Sequence, residues 1–136
     1  MIIFIEIRNR LLHESINRGG YEKFKKIYNP YSGLSVGCAL KTSSGKIYDG
    51  VNIENSVFGL TMCAERVAVF KAVFEGNVDI EEIALVASTG KPIYPCGACR
   101  QVLYEFNPNT KIYSSDGKTL ILLEILPFAF SRDALS

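Results

Sequence analysis

Two short cysteine-bearing segments constrain this chain more than any other feature. Cys96 and Cys99 lie in Pro95-Cys96-Gly97-Ala98-Cys99, and Cys63 opens Cys63-Ala64-Glu65-Arg66, 33 residues upstream (96 − 63 = 33). The C-x-x-C spacing puts both sulfurs on one face of a helix's first turn. Proline before Cys96 suits a helix start, and thiolates, the form that binds metal, gain there from the positive end of the helix dipole. Taken alone, the pair reads equally as a redox dithiol. Cys63 and Glu65 add a third sulfur and a carboxylate. Three ligands with one open position is the arrangement of a catalytic zinc, whereas a structural zinc closes its shell with four. The chain must then bring two helix N-termini together. In a regular helix Cys63 and Glu65 would point roughly 200° apart, so both address one site only if Cys63 lies at an irregular helix start. Arg66 falls on the cysteine's side of the same helix, where a guanidinium offsets the charge of three thiolates. Cys38 could supply a fourth sulfur, but it sits in an alternating strand among apolar neighbours and reads as a small buried core residue. The lone histidine, His13, reads as a surface residue.

Composition narrows the class. A length of 136 residues suits one domain, 1–136, and 48% hydrophobic with 21% charged residues describes a folded globular chain. Fifteen Lys and Arg against fourteen Asp and Glu leave +1, which gives no general field for nucleic acid or an anionic membrane. Glu6 interrupts the apolar stretch Met1–Ile5 before a secretory signal forms, and no apolar run approaches the ~20 residues that span a bilayer. A cytoplasmic, reducing setting is the expectation, in which clustered cysteines bind metal or do chemistry.

Along the chain, apolar spacing predicts a helix from Ile3 to Ile16 and a short amphipathic stretch from Tyr21 to Tyr28. A β-hairpin follows, through Leu34, Val36, Cys38 and Leu40, the turn Ser43-Ser44-Gly45, and Ile47–Val51. A helix from about Cys63 to Glu75 stops at Gly76-Asn77. Ile83–Ala87 reads as a covered strand, Cys99–Phe106 as a helix, and Lys111–Tyr113 with Thr119–Leu122 as strands around Ser114-Ser115-Asp116-Gly117. This order fits a mixed sheet with helices on its faces.

With these residues on the page, the chain resembles the cytidine deaminase family, whose signature pairs a Cys/His-x-Glu segment with Pro-Cys-x-x-Cys. The likeness runs from about Tyr28 to Phe130. It includes Pro30-Tyr31-Ser32, Val36-Gly37, Gly50-Val51-Asn52-Ile53-Glu54-Asn55, Arg100-Gln101 and Leu126-Pro127 with Phe130. The resemblance implies an α/β fold, a three-layer α/β/α arrangement with a mixed central sheet. It implies Zn²⁺ on Cys63, Cys96 and Cys99, with Glu65 as proton shuttle for a zinc-generated hydroxide that attacks C4 of cytidine or deoxycytidine. Asn52 and Glu54 are implied to recognise ribose hydroxyls, the backbone at Ala64 to hold the pyrimidine edge, and Leu34 to stand where relatives carry Phe. Arg66 is the supporting cation. Phe130 corresponds to an aromatic that closes a neighbouring subunit's site, implying a homotetramer, with a free nucleoside rather than a nucleic acid as partner. Besides Leu34, the departures are Phe58 where Tyr is common and a shortened 107–124 segment. Two alternatives stay beside this reading: deamination of a blasticidin-type nucleoside antibiotic, and a zinc-stabilised module without turnover.

Overall fold

Alternating apolar residues from Val36 to Thr42 (β1) and Ile47 to Val51 (β2) form the antiparallel hairpin, with Cys38 opposite Gly50 and Leu40 opposite Tyr48. The structure, a computed structural model, describes residues 27–136. The expected helix at Ile3–Ile16 and most of the Tyr21–Tyr28 stretch, with His13, lie outside the described residues. After the hairpin come helix α1 (Ala64–Phe74), strand β3 (Ile80–Ala87), helix α2 (Gly97–Phe106), strands β4 (Lys111–Tyr113) and β5 (Thr119–Ile121), and a four-residue helix α3 (Leu122–Ile125). The sheet order is β2-β1-β3-β4-β5. Among the described residues the one parallel pair, β3 with β4, is joined by α2, because parallel neighbours need a crossover. The sheet is mixed and the class is α/β, as the sequence implies.

Register decides which side chains meet the helices. Cys38 and Leu40 oppose Leu85 and Ile83, and Ile83 opposes Ile112, so one face of the sheet carries this apolar row. Ala64, Ala68, Val69 and Ala72 of α1 and Leu103 of α2 pack onto that face. Each fully buried Leu or Ile there contributes about 1.5–3 kcal/mol. Ala39 and Ala84 are buried on the opposite face. Both long helices lie on one side, so the described residues supply two of the three expected layers.

Gly50 sets how closely α1 approaches. A Cβ at this position would stand 2.1 Å from the Ala64 carbonyl oxygen and 2.7 Å from the Ala68 nitrogen. Helix and strand therefore touch backbone to backbone, along a row of alanines spaced four apart. At its far end α1 stops where expected: Gly76, at φ +81°, donates to the Val73 carbonyl, and Asn77 to that of Ala72. This is a Schellman ending, which a residue with a Cβ adopts at a cost.

Three boundaries differ from the sequence expectation. β3 begins at Ile80 rather than Ile83, because the ladder pairs Lys41 with Glu82 and, across a register shift that passes over Glu81, Thr42 with Ile80. α2 begins at Gly97 rather than Cys99, since Gly97 and Ala98 add nothing to the apolar period. Leu122 starts α3 instead of ending a strand. Its N–H donates to Thr110 and that of Leu123 to Pro108, while the Glu124 carboxylate accepts from the Ile121 N–H.

Candidate metal centre and active site

Both cysteine segments occupy helix N-termini. Cys63 is the N-cap of α1 at φ −71°, ψ 153°, and Cys96 the N-cap of α2 at φ −66°, ψ 168°. Extended backbone at Cys63 frees its side chain from helical geometry, meeting the demand that it share a site with Glu65. Neither cap has a side-chain hydrogen bond to its helix, so the positive ends of two helix dipoles face the sulfurs. Sγ of Cys63 lies 3.9 Å from that of Cys96, Cys96 lies 3.5 Å from Cys99, and all three fall within 4.8 Å of one another.

Sulfurs held tetrahedrally at the usual zinc distance of ~2.3 Å stand ~3.8 Å apart, so the trio fits that ion. Cys99 is buried, Cys63 partly so, and Cys96 exposed, leaving one side of the cluster open. Cys38 is a buried core thiol outside the cluster, its ionisation pushed well up by burial. It offers no fourth ligand.

Charge is arranged to favour thiolate. The Cys63 thiol is pulled down to about 5, first by hydrogen bonding from Cys99 and also by the Arg66 guanidinium. The Cys99 thiol is shifted the other way, raised by its bond to Cys63 and by burial. Arg66 Nη2 donates to Cys63 Sγ at 3.3 Å, while its buried Nε has no partner among the described residues. Glu65, 5% exposed beside fully buried Ala64, is pushed up to about 7, chiefly by burial. A carboxyl group so tuned can accept and return a proton near neutral pH.

Asn52 and Glu54 follow β2, and both are buried. Asn52 Oδ1 accepts from the Val36 N–H at 2.8 Å, and Nδ2 donates to the Leu34 carbonyl at 2.9 Å. Glu54 accepts from the Tyr31 N–H at 2.8 Å, the Ser32 N–H at 3.2 Å and the Ser32 hydroxyl. The Ser32 hydroxyl is the main cause holding the Glu54 carboxyl below its ordinary value. The two side chains thus brace the loop that carries Leu34, itself partly exposed. Phe58 is largely exposed and meets Tyr31 edge-on, with ring centroids 5.7 Å apart. Phe130 is exposed, and its carbonyl accepts from Gln101 Nε2 at 2.8 Å.

Three residues that belong to the matched segments were given no role by the sequence. Ser32 completes the Glu54 brace and Arg100 reaches backbone on two sides; neither carries a periodic signal. Gly50, inside a strand, was the one detectable case, because a strand glycine signals close backbone approach.

A buried carboxylate beside three thiols, gathered at two helix N-termini under a mixed sheet, defines a metal-dependent α/β protein of the zinc-thiolate type. The family model for the cytidine and deoxycytidylate deaminase zinc-binding region matches residues 12–115. A cytidine deaminase of Halalkalibacterium halodurans is 46% identical over 114 residues, covering 80% of this chain and 86% of that one. A probable cytidine deaminase of Dictyostelium discoideum is 57% identical over 116 residues, 78% and 75% of the two chains. The crystal structure of cytidine deaminase from Burkholderia pseudomallei superposes with a TM-score of 0.77 at 38% identity, over 87% of this chain and 98% of that one. The chain belongs to the cytidine deaminase family, and the three cysteines are positioned to hold its metal ion.

Proposed function

We propose that this protein hydrolyses cytidine and deoxycytidine to uridine and deoxyuridine with release of ammonia, a step of pyrimidine salvage in the cytoplasm. One observation carries the reading: Glu65, buried and tuned to about 7, stands two residues beyond Cys63 in the three-thiol cluster. Cys63, Cys96 and Cys99 would hold zinc, which would supply the Lewis acidity that lowers the pKa of a water. Glu65 takes a proton from the attacking water and delivers it to ring N3. It then takes the remaining proton from the new C4 hydroxyl, which becomes the carbonyl, and passes it to the amino group as that group leaves C4. Water adds its oxygen to C4, the C–N bond breaks, and ammonia departs.

Arg66, donating to Cys63, offsets thiolate charge and keeps the centre electrophilic. The buried backbone at Ala64 holds the pyrimidine edge, and Leu34 lines the ring side. Asn52 and Glu54 take the ribose hydroxyls. Glu54 suits that role because an ionised carboxylate only accepts hydrogen bonds, as a diol requires. Phe130, exposed on a segment tied by its carbonyl to Gln101, completes a neighbouring subunit's site in a homotetramer. The relatives' names support cytidine over an antibiotic substrate.

The test is ultraviolet loss of cytidine absorbance with parallel assay of ammonia. Glu65→Ala is expected to keep stoichiometric zinc and lose turnover; full activity in that variant overturns the mechanism. A single-chain species with full activity at working concentration overturns the role given to Phe130.

A further inference from the structure

Arg100 follows the ligand Cys99 on the first turn of α2, yet its guanidinium leaves that helix in two directions. Its Nε donates to the Pro95 carbonyl at 2.7 Å, and its Nη1 to the Ile125 carbonyl at 2.9 Å. Pro95 is fully buried and directly precedes Cys96. Its carbonyl lies ahead of the N-cap, where α2 provides no partner. Ile125 is the last residue of α3, whose final carbonyls have no N–H within that helix.

The next residue repeats the direction: Gln101 Nε2 donates to the Phe130 carbonyl at 2.8 Å. Two adjacent side chains therefore hold both ends of the segment 125–130. Between them Phe128 sits at φ +55°, fully exposed. A bulky residue adopts that left-handed conformation only where its surroundings over-determine it. The two ties supply the over-determination.

We propose that Arg100 is a positioning residue that couples the loop carrying the metal ligand Cys96 to the C-terminal segment 125–130. A fixed Pro95 carbonyl sets the backbone from which Cys96 presents its sulfur; a fixed Ile125 carbonyl sets where the segment leaves α3. One planar fork makes both bonds, so ordering one end lowers the entropy cost of ordering the other. Lysine keeps the charge but presents a single nitrogen on a flexible stem, and it cannot reproduce two directed bonds.

The inference rests on the cysteine trio holding a metal and not on the reaction, so both readouts avoid deamination. The first is the rate at which zinc-loaded protein gives up its metal to excess chelator. The second is deuterium uptake across residues 122–130, with β3 as internal reference. Arg100→Lys is expected to release zinc on the order of tenfold faster, and to raise uptake in 122–130 while β3 stays protected. Gln101→Ala is expected to raise uptake only around 128–131 and leave zinc release unchanged. Stripping zinc from the unaltered protein is expected to raise uptake in 122–130 ahead of β3.

Wild-type values in Arg100→Lys for both readouts overturn the coupling, because charge alone then suffices. If that variant does not fold, the stripping measurement decides alone. Uptake in 122–130 that stays unchanged, or rises only together with β3, overturns the proposal.

Discussion

The N-termini of α1 and α2 share a pattern and put it to different uses. Each is capped by a cysteine in extended backbone, and each carries an arginine in its first turn. At α1 the arginine turns onto sulfur: Arg66 meets Cys63. At α2 it turns onto backbone: Arg100 meets the carbonyls of Pro95 and Ile125. The surroundings differ in the same sense. The start of α1 is pressed onto Gly50 and carries Glu65, whereas α2 starts from a loop anchored through buried Pro95. One arginine sets charge beside a sulfur and the other ties backbone to backbone. Similar sequence chemistry therefore acquires distinct roles from what lies within reach of each guanidinium.

The sharpest separation comes from Glu65→Gln, which removes the proton carrier proposed above and leaves every sulfur in place. Turnover of cytidine should fall two to four orders of magnitude, as expected for loss of general acid–base catalysis, with zinc content by metal analysis unchanged. The same variant isolates a pH dependence in the metal-free protein. Burial holds Glu65 at about 7 against an ordinary 4.5, so the native state keeps a proton that the unfolded chain has already released. Stability from this group is therefore lost as pH rises from about 4.5 through 7, by a few kcal/mol at most. Cys63, pulled down to about 5, works in the opposite sense by gaining stability as pH rises above 5. The difference between the two proteins in denaturant midpoint, measured from pH 4.5 to 8, should carry the Glu65 slope together with its coupling to Cys63 and Cys99.

Gly50→Ala comes next, because its methyl would meet backbone rather than a flexible side chain. A loss of about 1–3 kcal/mol is expected from overpacking, together with weaker metal binding as α1 is displaced. Denaturant unfolding and a zinc competition titration check the two parts. If metal affinity is unchanged, the pressure of β2 on α1 has no part in placing Cys63.

Arg66→Gln tests the reactive side of the comparison directly. Without the guanidinium the Cys63 thiol holds its proton more tightly, so at lower pH metal must displace a proton that it need not displace at higher pH. Affinity should drop on the order of tenfold at neutral pH and recover on raising pH, as a cobalt titration followed through its sulfur absorption would report. Gly76→Ala, at the far end of the same helix, should cost only ~1 kcal/mol and leave the metal titration untouched. A shift in metal affinity there would mean that α1 responds as a rigid whole and that its two ends are not independent.

Much of the site was readable in the chain because its chemistry depends on residue type at short spacing. Cys96 and Cys99 follow from helix periodicity, and the requirement that Cys63 sit outside regular helix follows from the angle between it and Glu65. The Gly76 stop, the hairpin and the mixed sheet follow from turn residues and alternation. Other features rest on contacts between distant residues. Glu54 with Ser32, Asn52 with Leu34 and Val36, and Arg100 with Ile125 join segments whose closeness no local period announces. The start of β3 at Ile80 was decided by the length of its partner strand.

By itself the amino-acid sequence determined the three sulfurs, the carboxylate among them and the two helix starts, because ligand type, spacing and capping preference are local properties. The sequence also read Cys38 as a core residue and put Arg66 on the cysteine's side, whereas tertiary structure alone buried Glu65, so raising its pKa, and sent Arg100 to two backbone carbonyls. Desolvation and charge pairing depend on what lies within a few ångströms in space, and that distance is set only when the sheet and helices pack.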